Sequence, residues 1–497
     1  MFLKNTLAYS GLNVMAQVVL FIQGFVLRKI LAPEIMGIWN FVCVVRSFVS
    51  PFSIGILSGA IRELPILKGR GDENSQINYR SVSLTYSVGE IVLVAIFLVV
   101  YAFLKKDSIS HVEFIALLLT TVLLVFSRCQ ESYITFFQSA QLYVPLSWLL
   151  LINSMILALL LSIGAIVQGL WGIFCGALVG EFLKAICLTL TAKYFGIKTK
   201  LKWDFKIFKR LASYSIFLKI TDYPITLFMI LDLLWVTKFM EIQYLAIYAM
   251  SRSFFSQCSE ITVRFGTVFM TRTFEQYGKG EKKEKIADEM YRFIQLQLLI
   301  AVPFVCCSIF FVVPFLIRQI IPLYAESISP MTILLIATFF DMRGNNLFTI
   351  WIAEKRFGSY GKATLFSLMS MFVSISTCWF LLGYRTLNGI AVAVVIGYLI
   401  NFVYIMGTIG REVLGKERLR KLLIQVVPTV LWVAGIMICF AHREALSMNI
   451  YEDIVFSLKK AIIVSILILP IILMGVKTSG VGDILYRKFQ LLRATKP

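Results

Sequence analysis

Long polar stretches are what this 497-residue sequence lacks. Charged residues make up 15% of it and hydrophobic residues 59%, where soluble proteins carry roughly 25% charged residues. A soluble domain of that composition would have almost no surface to present to water. Acidic residues are scarce too. Against 28 Asp and Glu stand 48 Lys and Arg, a formal net charge of +20. The two histidines, His111 and His442, fall at the edges of apolar segments, so no metal site is expected. None of the nine cysteines forms a CxxC pair, and nearly all lie inside apolar runs, where they read as small buried hydrophobes. The gaps between apolar runs are short. They leave no room for a soluble catalytic domain, a phosphate-binding loop module or a receptor module. The expectation is therefore a protein that is not an enzyme and carries no cofactor. The basic surplus sits in short loops rather than on a soluble module, so nucleic acid is not an expected partner.

What is there is a series of apolar runs of the roughly 20 residues a spanning helix needs. Fourteen are read: 7–27, 36–61, 81–104, 112–137, 143–167, 170–195, 211–236, 244–271, 294–317, 327–353, 363–384, 387–408, 422–441 and 454–476. The first follows Lys4 and runs on towards Arg28, past the length of a signal-peptide core, and reads as a spanning helix. Pro224, Pro303 and Pro314 should bend their helices rather than end them, because neighbours can satisfy the freed carbonyls. The fold class expected is all-α: a polytopic membrane protein with about 14 transmembrane helices. Every second gap is rich in Lys and Arg. With the N-terminus inside, inner segments hold about 31 basic residues and outer segments about 10. The positive-inside rule then places both termini in the cytoplasm. The expected division is 1–195, a basic linker at 196–210, 211–410, and a terminal pair of helices with a tail at 411–497. A faint repeat crosses that linker. Lys29 lies eight residues before Gly37-Ile38-Trp39, and Lys238 lies eight before Ala246-Ile247-Tyr248. Duplicated halves with a substrate site between them are common in transporters.

Ionisable side chains at membrane depth cost several kcal/mol and default to pathway or pairing roles. The cations inside the predicted spans are Arg46, Arg128, Lys184, Lys219, Arg252, Arg264 and Arg343; the acids are Glu90, Glu131, Glu181, Asp222, Asp232, Glu260 and Asp341. Spacing of three or four residues lets Arg128 meet Glu131, Glu181 meet Lys184, Lys219 meet Asp222 and Glu260 meet Arg264. Arg46, Glu90, Asp232 and Arg252 have no such neighbour. Arg46 and Arg252 are the foremost candidates for an anionic diphosphate or sugar ligand, since a guanidinium offers a planar fork of donors with fixed charge. The alternative is that they pair across helices with Glu90 or Asp232. Arg264, Arg128 and Lys219 complete the candidate anion contacts. Arg252, Ser256, Glu260 and Arg264 form a slowly winding polar stripe that faces protein or water. Arg28 reads as an interface residue with its head in water. Asp222, Asp232, Glu90 and Asp341 are candidates to couple transport to H+ or Na+, because a carboxylate in a cavity can carry a proton or coordinate sodium.

The stretch from Leu27 to Trp39 resembles the first outer loop of bacterial polysaccharide-export flippases. Leu31, Pro33, Gly37 and Trp39 fit the pattern, and Lys29 stands where the family has Arg. Gly55 to Arg62, Gly71-Asp72-Glu73 and Pro322-Leu323-Tyr324-Ala325-Glu326-Ser327 are similar to further segments of the family, and the layout matches over nearly the whole chain. The family is the multidrug/oligosaccharidyl-lipid/polysaccharide exporter superfamily, and the Wzx-type O-antigen or repeat-unit flippases are the branch it looks most like. The resemblance implies two six-helix lobes in a V, an inner cavity and alternating access. It implies a terminal helix pair with a groove for a lipid tail, and a substrate that is an oligosaccharide on undecaprenyl diphosphate.

The expected function is thus a flippase of lipid-linked repeat units in the bacterial inner membrane, serving surface polysaccharide such as O-antigen. Membrane lipids and other polysaccharide-assembly membrane proteins are expected partners. A cation-coupled multidrug antiporter keeps the fold and changes the substrate. A membrane glycosyl polymerase would need a large outer loop, and the sequence has none.

Overall fold

The computed structural model describes residues 2–49, 55–69, 72–108, 110–140, 142–259, 282–341, 347–354, 356–441 and 450–479. Among the described residues there are helices and turns and no strand. They fall into two compact units, 1–246 and 247–497. Eight helices of the described residues are long and apolar enough to cross a membrane. Their outer faces are apolar, as at Leu93, Phe97, Leu159 and Ile166. Contiguous exposed apolar belts on long helices fit lipid contact, and the chain is a multi-pass membrane protein.

The first unit holds α1 (Phe2–Ile30), α2 (Pro33–Val49), α3 (Ile56–Gly69), α4 (Glu73–Leu104), α5 (His111–Ser139), α6 (Tyr143–Gln168), α7 (Leu170–Tyr194) and α8 (Phe205–Phe239). Several starts are fixed by side chains that satisfy the orphan amides of a first turn. Asp72 accepts from the Ser75 amide at 2.9 Å. Ser110 and Glu113 form a reciprocal capping box at α5. Asp204 accepts from the amides of Lys206 and Ile207 at α8. Glycines set the closest approaches. A Cβ at Gly172 would collide with the Gly164 carbonyl, and one at Gly176 would lie 2.7 Å from the Leu160 carbonyl. Small residues at this four-residue spacing let α6 and α7 press backbone to backbone, which in lipid replaces the hydrophobic drive for packing. Gly37, from the predicted repeat, lies against the Ile242 carbonyl in the same way.

Two expected spans are broken. The span 36–61 becomes α2 and α3, because Gly55 has φ of +77°, outside any right-handed helix. The span 327–353 becomes a 3₁₀ turn (Pro322–Ser327), α12 (Ile328–Ala337) and α13 (Leu347–Ala353). There α12 tightens into i→i−3 bonds at Thr338, Phe339 and Phe340 and stops. The expected pass through proline holds at Pro224 and Pro314, which lie inside continuous helices.

The helix of residues 242–259, α9, carries the chain from the first unit into the second. The second continues with α10 (Lys283–Leu296), a π-helical turn (Gln297–Ala301), α11 (Val302–Ile320), α12, α13, α14 (Phe357–Ser376), α15 (Leu387–Ile405), α16 (Arg411–Ala441) and α17 (Ile450–Ser479). Here serines take the role that glycines have in α7. Ser370 donates to the Gly397 carbonyl at 3.2 Å and Ser367 to Asn401 Oδ1 at 2.6 Å, joining α14 to α15. The charge boundary at 196–210 and the packing boundary at 246 differ, since α8 packs on α2, α3 and α4.

Candidate functional site

In the first unit a polar cluster joins α2, α5 and α7. Arg46 Nη1 donates to Glu181 Oε1 at 2.9 Å, and Nη2 donates to Ser127 Oγ. Gln130 donates to the other carboxylate oxygen of Glu181 at 2.7 Å and to its backbone carbonyl at 2.9 Å. One residue beyond Ser127 and Gln130, Arg128 and Glu131 pair at 2.7 Å. The helix geometry explains the convergence. The glycine face of α7 is fastened to α6, and Glu181 sits one residue, or about 100°, beyond Gly180. That rotation aims its carboxylate at α2 and α5. Ser127, Gln130 and Glu131 then share one face of α5 by their spacing.

The cluster is asymmetric. The Glu181 side chain is 6% exposed and the Arg46 side chain 34%. The acid is sealed and held on both oxygens, while the cation's side chain is half-open and its guanidinium has more N–H donors than these two bonds use. A guanidinium held on one side and open on the other can take an anion without losing its anchor.

The arrangement alters two pairings read from the sequence. Arg46 pairs across helices, but its partner is Glu181 and neither Glu90 nor Asp232. Glu181, spaced to meet Lys184, takes its hydrogen bonds from Arg46 and Gln130, while Lys184 still acts on it through charge. The Arg128–Glu131 pair stands as the spacing implied. Ser127 and Gln130 are not among the residues named from the sequence; the signal for them is the polar run Ser127, Gln130, Glu131 at helical spacing on one face of α5.

The remaining candidates are spread out. Lys219 of α8 lays its stem over Gly55. Asp232 is buried on α8, and Glu90 is half-buried on α4. In the second unit Arg252 is buried with its guanidinium 4.4 Å from the Phe255 ring centroid. Asp341 is buried just past α12. The side chain of Asp222, and Glu260, Arg264 and Arg343 in full, lie outside the described residues. So, therefore, does the lower half of the expected polar stripe. Arg28 folds back to the Gly24 carbonyl at 3.0 Å.

Long apolar helices in two units, with charged side chains clustered among them, make a fold that is shared with solved membrane-protein structures. An inward-facing multidrug resistance MATE family transporter of the MOP superfamily matches with TM-score 0.67 at 12% identity, over 84% of this chain and 99% of that one. The lipid II flippase MurJ in an inward closed conformation matches with TM-score 0.65 at 13% identity, over 97% and 99%. A MOP superfamily transporter from Pyrococcus furiosus, described as having a binding pocket of reverse polarity, matches with TM-score 0.59 at 13% identity, over 82% and 94%. No curated protein matches the chain. The model of the polysaccharide biosynthesis protein family matches residues 26–322, and the chain belongs to that family.

Proposed function

We propose that the protein flips an oligosaccharide linked to undecaprenyl diphosphate from the cytoplasmic to the outer leaflet of the bacterial inner membrane, by alternating access and without catalysing a reaction. The observation that carries this reading is the half-open Arg46. It is a fixed cation on a buried acid, of the kind a diphosphate needs at membrane depth. Three further facts support it. The family is one of polysaccharide biosynthesis. The match to a lipid flippase extends over 97% of the chain. The multidrug transporter match covers 84%, and the share left over is about the size of the terminal segment 411–497. Basic inner loops orient the chain with both termini in the cytoplasm. Arg252, Arg128, Arg264 and Lys219 are further anion contacts in this reading. Asp222, Asp232, Glu90 and Asp341 are the acids through which H+ or Na+ would couple.

Deleting the protein from a host with one such flippase should leave lipid-linked repeat units on the cytoplasmic leaflet. Normal surface polysaccharide in that strain would refute the reading. A second reading, a cation-coupled multidrug antiporter, draws on the likeness to the multidrug transporter fold. Proton-driven uptake of organic cations by the reconstituted protein would favour it.

A further inference from the structure

The segment between α7 and α8 is extended and strongly basic, and the structure fixes it in place. Ile197 is buried in a core with Phe136, Leu188 and Leu211. Beyond it the backbone runs alongside α4. The Lys200 amide donates to Ser81 Oγ and the Lys202 amide to Thr85 Oγ1, both at 2.9 Å. The register is matched: two extended residues advance about 6.6 Å and four helical residues about 6 Å. The next position of the same stripe is Gly89, and a Cβ there would lie 3.5 Å from the Trp203 ring. Trp203 also meets Tyr86 edge-on at 4.7 Å, and Tyr86 stacks on Phe208 at 4.3 Å.

The stripe continues as Leu93 and Phe97, which are 70% and 69% exposed. The strap therefore covers the polar part of one α4 face and ends where the lipid-facing part begins. At that boundary Leu201, Trp203 and Phe205 are 81%, 69% and 69% exposed. Lys198, Lys200, Lys206 and Lys209 are exposed around them, and Lys202 is tied to Asn78 at 2.9 Å. Large exposed apolar groups would be a liability in water. At a membrane surface they form an interfacial anchor, and lysines beside them attract anionic headgroups.

We propose that this strap is a fixed binding site for an anionic glycerophospholipid, with the phosphodiester among Lys198, Lys200, Lys206 and Lys209 and the upper acyl chains against Leu201, Trp203 and Phe205. Lysines are mobile point charges and suit a singly charged phosphodiester; no arginine fork shaped for a diphosphate is offered by these four positions. The site is independent of the transported substrate.

The test uses the full chain in nanodiscs of phosphatidylcholine with increasing phosphatidylglycerol. Brominated lipid of either class quenches nearby tryptophan, and W203F isolates the contribution of Trp203 among the eight tryptophans. Brominated phosphatidylglycerol should quench Trp203 several-fold more than brominated phosphatidylcholine at equal content. Exchange of the four lysines for glutamine should bring that ratio close to one, because the attraction of lysines to anionic headgroups is then gone. Raising salt to about 1 M on the unaltered protein should do the same, because the screening length falls to about 3 Å; this arm holds even if the quadruple variant does not fold. Equal quenching by the two lipids would overturn the proposal. So would a preference that survives both treatments, or displacement of phosphatidylglycerol by an equimolar prenyl diphosphate.

Discussion

Each unit contains an arginine–carboxylate pair between distant helices, and the two are built differently. In the first unit Arg46 meets Glu181 at 2.9 Å, with the cation 34% exposed. In the second, Arg318 at the end of α11 meets Asp453 in the first turn of α17 at 2.8 Å, with exposures of 9% and 2%. Gln319 adds a 2.8 Å bond to Asp453, and buried Lys460 lies 4.0 Å from the Phe310 ring centroid. Both charges of this second pair are sealed, the acid lies at a helix N-terminus, and the cation is near a helix C-terminus, where each is favoured by the helix dipole. The same two chemical groups thus form a sealed clamp in one place and a half-open pair in the other, the pair proposed above to meet the diphosphate. What separates them is solvent access to the guanidinium.

The largest expected effect is on the clamp. Asp453→Ala leaves Arg318 buried without its main partner and should cost about 3–5 kcal/mol, seen as a lower unfolding midpoint and poor yield in detergent. An unchanged midpoint would show that α17 is held by apolar packing alone. Next comes the half-open pair. Arg46→Ala should reduce flipping at least tenfold while leaving expression intact, and Arg46→Lys should restore only part, since one ammonium replaces a fork. Normal export by Arg46→Ala would remove Arg46 from the substrate path. The comparison sharpens with a double change. Arg46→Ala alone leaves the buried Glu181 carboxylate without its ion-pair partner on Oε1, so Arg46→Ala with Glu181→Gln should be more stable than Arg46→Ala by about 1–3 kcal/mol yet export no better. If export recovers with stability, Arg46 acts by folding and not by contact.

The smallest effect falls outside both pairs. The Ser75 hydroxyl and amide hold the Asp72 carboxyl below the usual carboxylate range. A lowered native value means the cap stabilises α4 fully above the unfolded value of about 3.9 and loses that contribution as pH falls through the native one. Asp72→Asn should keep the cap and abolish this slight acid dependence of the melting curve.

The outcome at each pair shows what could be read in advance. Arg128 and Glu131 are three apart on one helix, and local geometry brings them together wherever that helix goes. Arg46 and Glu181 lie 135 residues apart. Their meeting depends on how far α7 is rotated when Gly172, Gly176 and Gly180 dock on α6, and no spacing rule contains that angle. Lys184 is the local partner that spacing offers Glu181 and acts on it through charge, but the direct hydrogen-bonded pair is made by the cross-helix cation. Arg318 and Asp453 carry no such signal in the sequence, because both sit near segment ends, where charges ordinarily reach water. Only the packing of α17 on α11 seals them.

The sequence by itself determined the all-helical membrane class, the local Arg128–Glu131 pair and the helix caps, and its basic loops point to an orientation. Each follows from hydrophobic length, charge placement or spacing along one helix, which are properties of the chain alone. The tertiary structure decided where helices break, as at Gly55, and which cation stands open. It also decided that the basic linker is a strap registered on Ser81 and Thr85 rather than a loose tether. Those depend on the rotation and depth of one helix against another, which glycine contacts and buried polar bonds set only once the chain has folded.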